Sequence, residues 1–160
     1  MKTLIDLLKQ EPVYLNNWSG RIGVIADFNN VYMSESDYMS KTPTYGNKEA
    51  WERDKSIISN IDREWENINI LFASYGCDNY QGDAFVLFEK DGKLFEVNGS
   101  HCSCFGLEGQ FNPEETTLDA LKLRLIDGRL GFDDYSGNAF SNHLKEFLGI
   151  SVTTNRSTGS

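Results

Sequence analysis

The stretch "DAFVLFEKDGKLFEVN", residues 83–98, constrains the fold more than any other part of the chain. Asp91-Gly92 is a dipeptide that accepts the positive φ angles of a type I′ turn, and runs rich in apolar residues lead away from it on both sides. Counting outward pairs Lys90 with Lys93, Phe88 with Phe95 and Val86 with Val97. These residues share a face with Ala84, while Phe85 and Leu87 fall on the other. Aromatic and β-branched cross-strand pairs stabilise such a ladder. A two-residue hairpin at the centre of the chain requires a sheet that is at least partly antiparallel. Apolar groups on both of its faces imply one face against a helix layer and the other partly covered.

The flanking segments supply the layers. "TLIDLLKQEP" (residues 3–12) reads as a short helix capped by Thr3, with Leu4, Leu7 and Leu8 as its stripe and Pro12 beyond its end. "GRIGVIADF" (20–28) reads as a strand with Ile22, Val24 and Ala26 on one face. "NKEAWERDKSIISNIDREWENI" (47–68) is the clearest helix. Asn47 caps it, and Ala50, Trp51, Ile57, Ile58, Ile61, Trp65 and Ile68 follow the spacing of one buried face. "INILFASYG" (68–76) is a nearly continuous apolar run, which suits a central strand. "FNPEETTLDALKLRLIDG" (111–128) suggests a helix capped by Asn112, with Pro113 at its first position and Gly128 at its end. "GNAFSNHLKEFLG" (137–149) suggests a last helix stopped by Gly149. The expected fold is therefore α+β, with four helices packed mainly on one face of a sheet built around the hairpin. Residues 1–150 form one globular domain in this reading, and residues 151–160 a flexible tail. A chain of 160 residues, 39% hydrophobic and 12% aromatic, has the material for one such core.

The charge narrows the partners. The formal net charge is −9, and the acids are spread along the chain rather than held in one tail. Such a surface repels phosphate backbones and anionic lipid, so no direct nucleic-acid or membrane partner is expected, and a protein with a basic surface is compatible. The start "MKTLIDLLKQ" has Asp6 and Lys9 interrupting its apolar residues and does not read as a signal peptide. Three cysteines, an odd number, argue against a secreted disulfide framework and fit a reducing cytoplasm.

Two segments stand out as candidate sites. The first is "GSHCSCFG", residues 99–106, which crowds His101, Cys102 and Cys104 together. With Cys77 these are the residue types of a Cys3His zinc set, but one C-x-C and a lone cysteine depart from the paired spacing of zinc knuckles. In an extended chain Cys102 and Cys104 point one way and His101 the other, so a tight turn would be needed to gather all four. A cysteine nucleophile needs a base within reach and a group to orient that base, and no protease signature is present. The alternative is packing: small thiols, a histidine satisfying backbone groups, and glycines permitting a turn. The second segment is the long connection 29–46, which carries Tyr32, Met33, Tyr38, Met39 and Tyr45. Aromatic and Met side chains there either pin the loop to the core or serve as a contact surface. The polar face of the 47–68 helix, with Glu52, Asp62, Glu64 and Glu66, is a further candidate surface, as are Glu114, Glu115, Asp133 and Asp134. No phosphate loop, dinucleotide fingerprint, H-E-x-x-H or EF-hand pattern occurs.

Residues 82–116, "GDAFVLFEKDGKLFEVNGSHCSCFGLEGQFNPEET", resemble a segment of small, functionally uncharacterised proteins of bacteria and their phages. The resemblance carries no activity or catalytic residue. It implies a setting, the cytoplasm of a bacterial host and a phage or mobile element, in which small accessory proteins often inhibit host defence proteins. The expected function is accordingly a protein-binding accessory, with acidic mimicry of nucleic acid as one form. The alternative is a small metal- or thiol-dependent enzyme centred on residues 99–106, with zinc as its possible cofactor.

Overall fold

The computed structural model describes residues 1–132 and 137–151. Asp133, Asp134 and the remainder of the expected tail lie outside the described residues. Five strands form one mixed sheet in the order β1-β2-β3-β4-β5: Val13–Asn16, Asn69–Tyr75, Gly82–Lys90, Lys93–His101 and Glu114–Thr116. β1 lies parallel to β2, and the remaining neighbours are antiparallel. The hairpin has the expected register, with Lys90 opposite Lys93, Phe88 opposite Phe95 and Val86 opposite Val97. Asp91 (φ 53°) and Gly92 (φ 79°) turn it. A β-branched side chain resists that conformation, so Gly92→Val is expected to destabilise the protein by more than about 1 kcal/mol. Urea unfolding checks it, and an unchanged midpoint would contradict the turn.

Both faces of the sheet are covered by helices, where the sequence suggested mainly one. On the first face, Phe72, Phe85, Leu87 and Leu94 pack with Leu7 of α1 (Leu4–Leu8), with Leu121 and Leu125 of α5 (Leu118–Ile126) and with Leu144, Phe147 and Leu148 of α6 (Ser141–Leu148). On the second, Ile70, Ala73, Ala84, Val86, Phe88 and Val97 pack with Trp18 and with Val24 and Phe28 of α2 (Arg21–Phe28). The described residues hold six helices, the other two being α3 (Glu35–Met39) and α4 (Lys48–Glu64). None is long and apolar enough to cross a membrane.

The main correction concerns "GRIGVIADF", which is the helix α2 and not a strand. Its Val24 and Phe28, four residues apart, face the sheet, while Ile22, Ile25 and Ala26 face α4 through Trp51 and Ile58. A helix buried on two sides presents a continuous apolar run, and periodicity alone does not separate that from a strand. Arg21 ties the layer together. Its Nε pairs with Asp62 at 2.7 Å, and its two terminal nitrogens donate to the carbonyls of Ile68 and Trp65 just past the end of α4. A second correction falls at residues 112–117. Glu114–Thr116 pair with Glu96–Leu94 as an edge strand, and α5 starts later, capped by the Thr117 hydroxyl, which accepts from Ala120 N–H at 3.0 Å. Asn112 is therefore not the cap. α6 likewise starts at Ser141, although Gly149 (φ 77°) ends it as expected. Ile57, expected in the buried face of α4, is exposed.

Candidate functional site

The second face of the sheet ends in a cleft of about 280 Å³. Its walls come from the last turn of α2 and the loop after it (Ala26, Asp27, Asn30, Val31, Tyr32), from Tyr75 at the end of β2, and from residues 102–108. The fold thus joins two segments far apart in sequence, the start of the 29–46 connection and "HCSCFG".

The local structure follows from a few contacts. At the end of β4, His101 is buried, and its Nε2–H donates to the Gly76 carbonyl at 2.6 Å. Its ring lies flat on Tyr75, centroids 4.4 Å apart and 9° from parallel. Beyond it the chain reverses: Cys102 N–H donates to the Phe105 carbonyl at 2.9 Å, and Cys104 N–H donates to the Cys102 sulfur at 3.2 Å. That N–H stabilises a negative sulfur and holds the Cys102 thiol below its usual pKa. The Gln110 side chain braces the loop, accepting from Ser100 N–H and donating to the carbonyls of Ser100 and Gly106.

On the opposite wall, Asp27 interrupts the apolar run of α2. Its carboxylate accepts from the Trp18 indole N–H at 2.7 Å. Burial raises its pKa, with the Trp18 hydrogen bond and the nearby His101 ring acting against that rise. Burial also pushes the Tyr75 hydroxyl up to about 12, assisted by the nearby Asp27 carboxylate. Two aromatic side chains on the cleft lining stand out into solvent, Tyr32 at 86% exposure and Phe105 at 51%. The lining holds two carboxylates, Asp27 and Glu108, and among the described residues no Lys or Arg. Its chemistry is that of a socket for a cation: carboxylates for charge and electron-rich rings for its face.

The structure sorts the remaining sequence candidates. Met33 is buried, and the Tyr38 and Tyr45 hydroxyls are held by Ser59 and Asp54, both at 2.7 Å. These three pin the connection onto α4. Met39 is exposed on α3. Glu52, Glu64 and Glu66 are exposed, whereas Asp62 is engaged by Arg21. None of these four acids lines the cleft. Cys77, His101, Cys102 and Cys104 do not assemble: among the described residues no three His, Cys, Asp or Glu side chains gather in a way that could hold a metal ion. His101 already spends its Nε2 on Gly76, and its face on Tyr75. Asp27, Tyr75 and Glu108 were not among the residues the sequence singled out. The available signal was an acid inside a run of apolar residues, at Asp27.

A larger cavity, about 710 Å³, lies at the other side of the hairpin. Both of its arginines are engaged, Arg124 in a two-pronged pair with the buried Glu96 (2.6 and 2.9 Å) and Arg129 with Asp127 at 3.0 Å. Its third charged group, Asp83, accepts from the Asn138 amide at 2.9 Å, so unlike the smaller cleft this cavity is lined by two cations as well as a carboxylate. Comparison with protein-family models, with curated proteins and with solved structures finds no match.

Proposed function

We propose that this is a protein-binding module whose cleft between residues 26–32 and 102–108 receives a cationic side chain, Arg or Lys, from a basic surface on its partner. The observation that carries the reading is the lining itself: two carboxylates and two solvent-facing rings around a concave site, in a chain of net charge −9. A guanidinium entering it would meet opposite charge and aromatic faces together, the pairing that makes arginine a frequent anchor at interfaces. The setting belongs to the proposal as well: a phage or mobile-element protein that inhibits a host defence protein in the bacterial cytoplasm, as the resemblance of residues 82–116 implies.

The test uses a fluorescent hexa-arginine peptide. Affinity is expected to fall as salt rises, since exposed charges are screened over about 8 Å at physiological ionic strength. Tyr32→Ala and Phe105→Ala leave the net charge unchanged and are each expected to weaken binding about threefold or more, from loss of cation–π contact. Affinity is also expected to rise with pH as Asp27 ionises. Its raised pKa places that step above the usual carboxylate range, and Asp27→Asn should remove it. Equal binding by the aromatic variants would refute the cleft. Losses confined to reversals of Glu52, Glu64 and Glu66 would favour nucleic-acid mimicry by the acidic face of α4.

A second reading, a thiol- or metal-dependent enzyme at residues 99–106, is favoured by the Cys102 sulfur, whose thiolate is stabilised within the same cleft. Our reading assigns the cleft no metal. Stoichiometric zinc in protein purified without added metal would replace it with the metal one.

A further inference from the structure

Two cysteines share the turn that closes the cleft. Cys102 Sγ lies 3.2 Å from the backbone nitrogen of Cys104. The Cys104 sulfur hangs three bonds from that same nitrogen, so rotation about its χ1 alone sweeps it toward the Cys102 sulfur. The two residues are separated by two Cα steps of about 3.8 Å, bent by the Cys102-to-Phe105 turn. A bent pair of such steps can come within the roughly 4.4–6.8 Å a disulfide spans. Both cysteines are free, Cys104 is exposed, and both line a cleft that admits small molecules. Cys77 is free and exposed as well, outside the cleft lining.

We propose that Cys102 and Cys104 form an oxidisable dithiol, with Cys102 the sulfur that attacks hydroperoxides and Cys104 the sulfur that resolves it. The Cys102 thiolate attacks one peroxide oxygen, the O–O bond breaks, and hydroxide (alkoxide, from an alkyl hydroperoxide) leaves and is protonated by solvent acid. Cys102 has then lost two electrons and carries a sulfenic acid. The Cys104 sulfur attacks the sulfenic sulfur, an S–S bond forms, and the hydroxyl leaves as water with the Cys104 proton. The disulfide closes a small ring, so it is strained and readily reduced by other thiols, as a reversible switch requires. The bond also withdraws the sulfur that now accepts the Cys104 N–H, and so reshapes the wall that carries Phe105. This last consequence matters for binding only if the cleft docks a partner; the sulfur chemistry stands independently.

The full-length protein is treated with a slight excess of hydrogen peroxide, digested without reduction and examined by mass spectrometry. The expected product is a peptide lacking two hydrogens, with Cys102 linked to Cys104 and restored by dithiothreitol. In Cys104→Ser, a dimedone adduct should appear at Cys102 instead. It should form about tenfold faster than any adduct at Cys77, because the Cys104 N–H stabilises a negative sulfur at Cys102. Cys102→Ser should leave Cys104 largely unreacted on the same timescale. Oxidation of Cys77 as fast as Cys102, or a Cys102 sulfenic acid that persists in the native protein beside a free Cys104, would overturn the proposal. Because no peptide ligand is involved, failure here leaves the docking reading untouched.

Discussion

Replacing Phe72 by Ala is expected to destabilise the protein by about 3–5 kcal/mol, the largest effect of any substitution considered. Phe72 sits on β2 with no exposed surface. Its ring contacts Phe85 on β3, Phe140 before α6 and Phe147 within α6, at centroid distances of 6.3, 5.8 and 5.9 Å. Truncation removes the transfer energy of the ring and leaves a cavity whose walls belong to three separate elements, which cannot collapse together. Domains of this size are stable by about 5–15 kcal/mol, so the variant should fold with a much lower urea midpoint. Tyr32→Ala, on the exposed side of the cleft, should shift that midpoint by no more than about 0.5 kcal/mol. A small loss at Phe72 would mean that the layer of α1, α5 and α6 is not packed as described.

Gly76→Ala should come next, at about 1–3 kcal/mol. A methyl group there would lie 2.4 Å from the Asn138 Cβ and 2.6 Å from its backbone nitrogen. Backbone has to move, because no flexible side-chain end stands in the way. Asn138 is buried and donates to Asp83 at 2.9 Å, and its carbonyl oxygen accepts from Asn16 at 3.2 Å and from the Ser74 hydroxyl. Displacing it disturbs a buried polar network, in which a group left unpaired is costly. Gly76 also accepts the His101 hydrogen bond, so the cleft should loosen along with the fold. Urea unfolding measures the loss, and a wild-type midpoint would contradict the close approach.

Much of this architecture was legible in the chain. Asp91-Gly92 and the alternation around it gave the hairpin and its register, because turn geometry and a period of two admit one solution. The stripe of α4 was readable for a similar reason, having one buried face, whereas in α1 Leu7 alone is buried and Leu8, expected in the stripe, is exposed. α2 was not, since burial between the sheet and α4 erases the period that marks a helix. β1 and β5 are four and three residues long, too short for any pattern to emerge, and their pairing rests on partners distant in sequence. The site was legible only in halves. Tyr32 and the pair Cys102 and Cys104 stood out separately, but nothing local places residue 32 beside residue 105. Asp27, Tyr75 and Glu108 become members of one cleft only through the sheet's β2–β3–β4 order and the helix laid over it.

The most direct test of the cation-binding cleft is nuclear magnetic resonance on the isotopically labelled protein, titrated with hexa-arginine at moderate salt. The amides of Asp27, Asn30, Tyr32 and Tyr75, together with those of residues 102–108, are expected to shift along one saturable curve, while Glu52, Glu64 and Glu66 on and beside α4 stay nearly still. Shifts concentrated at those three acids, or spread evenly over the acidic surface with no group saturating first, would contradict the assignment of the cleft as the binding site.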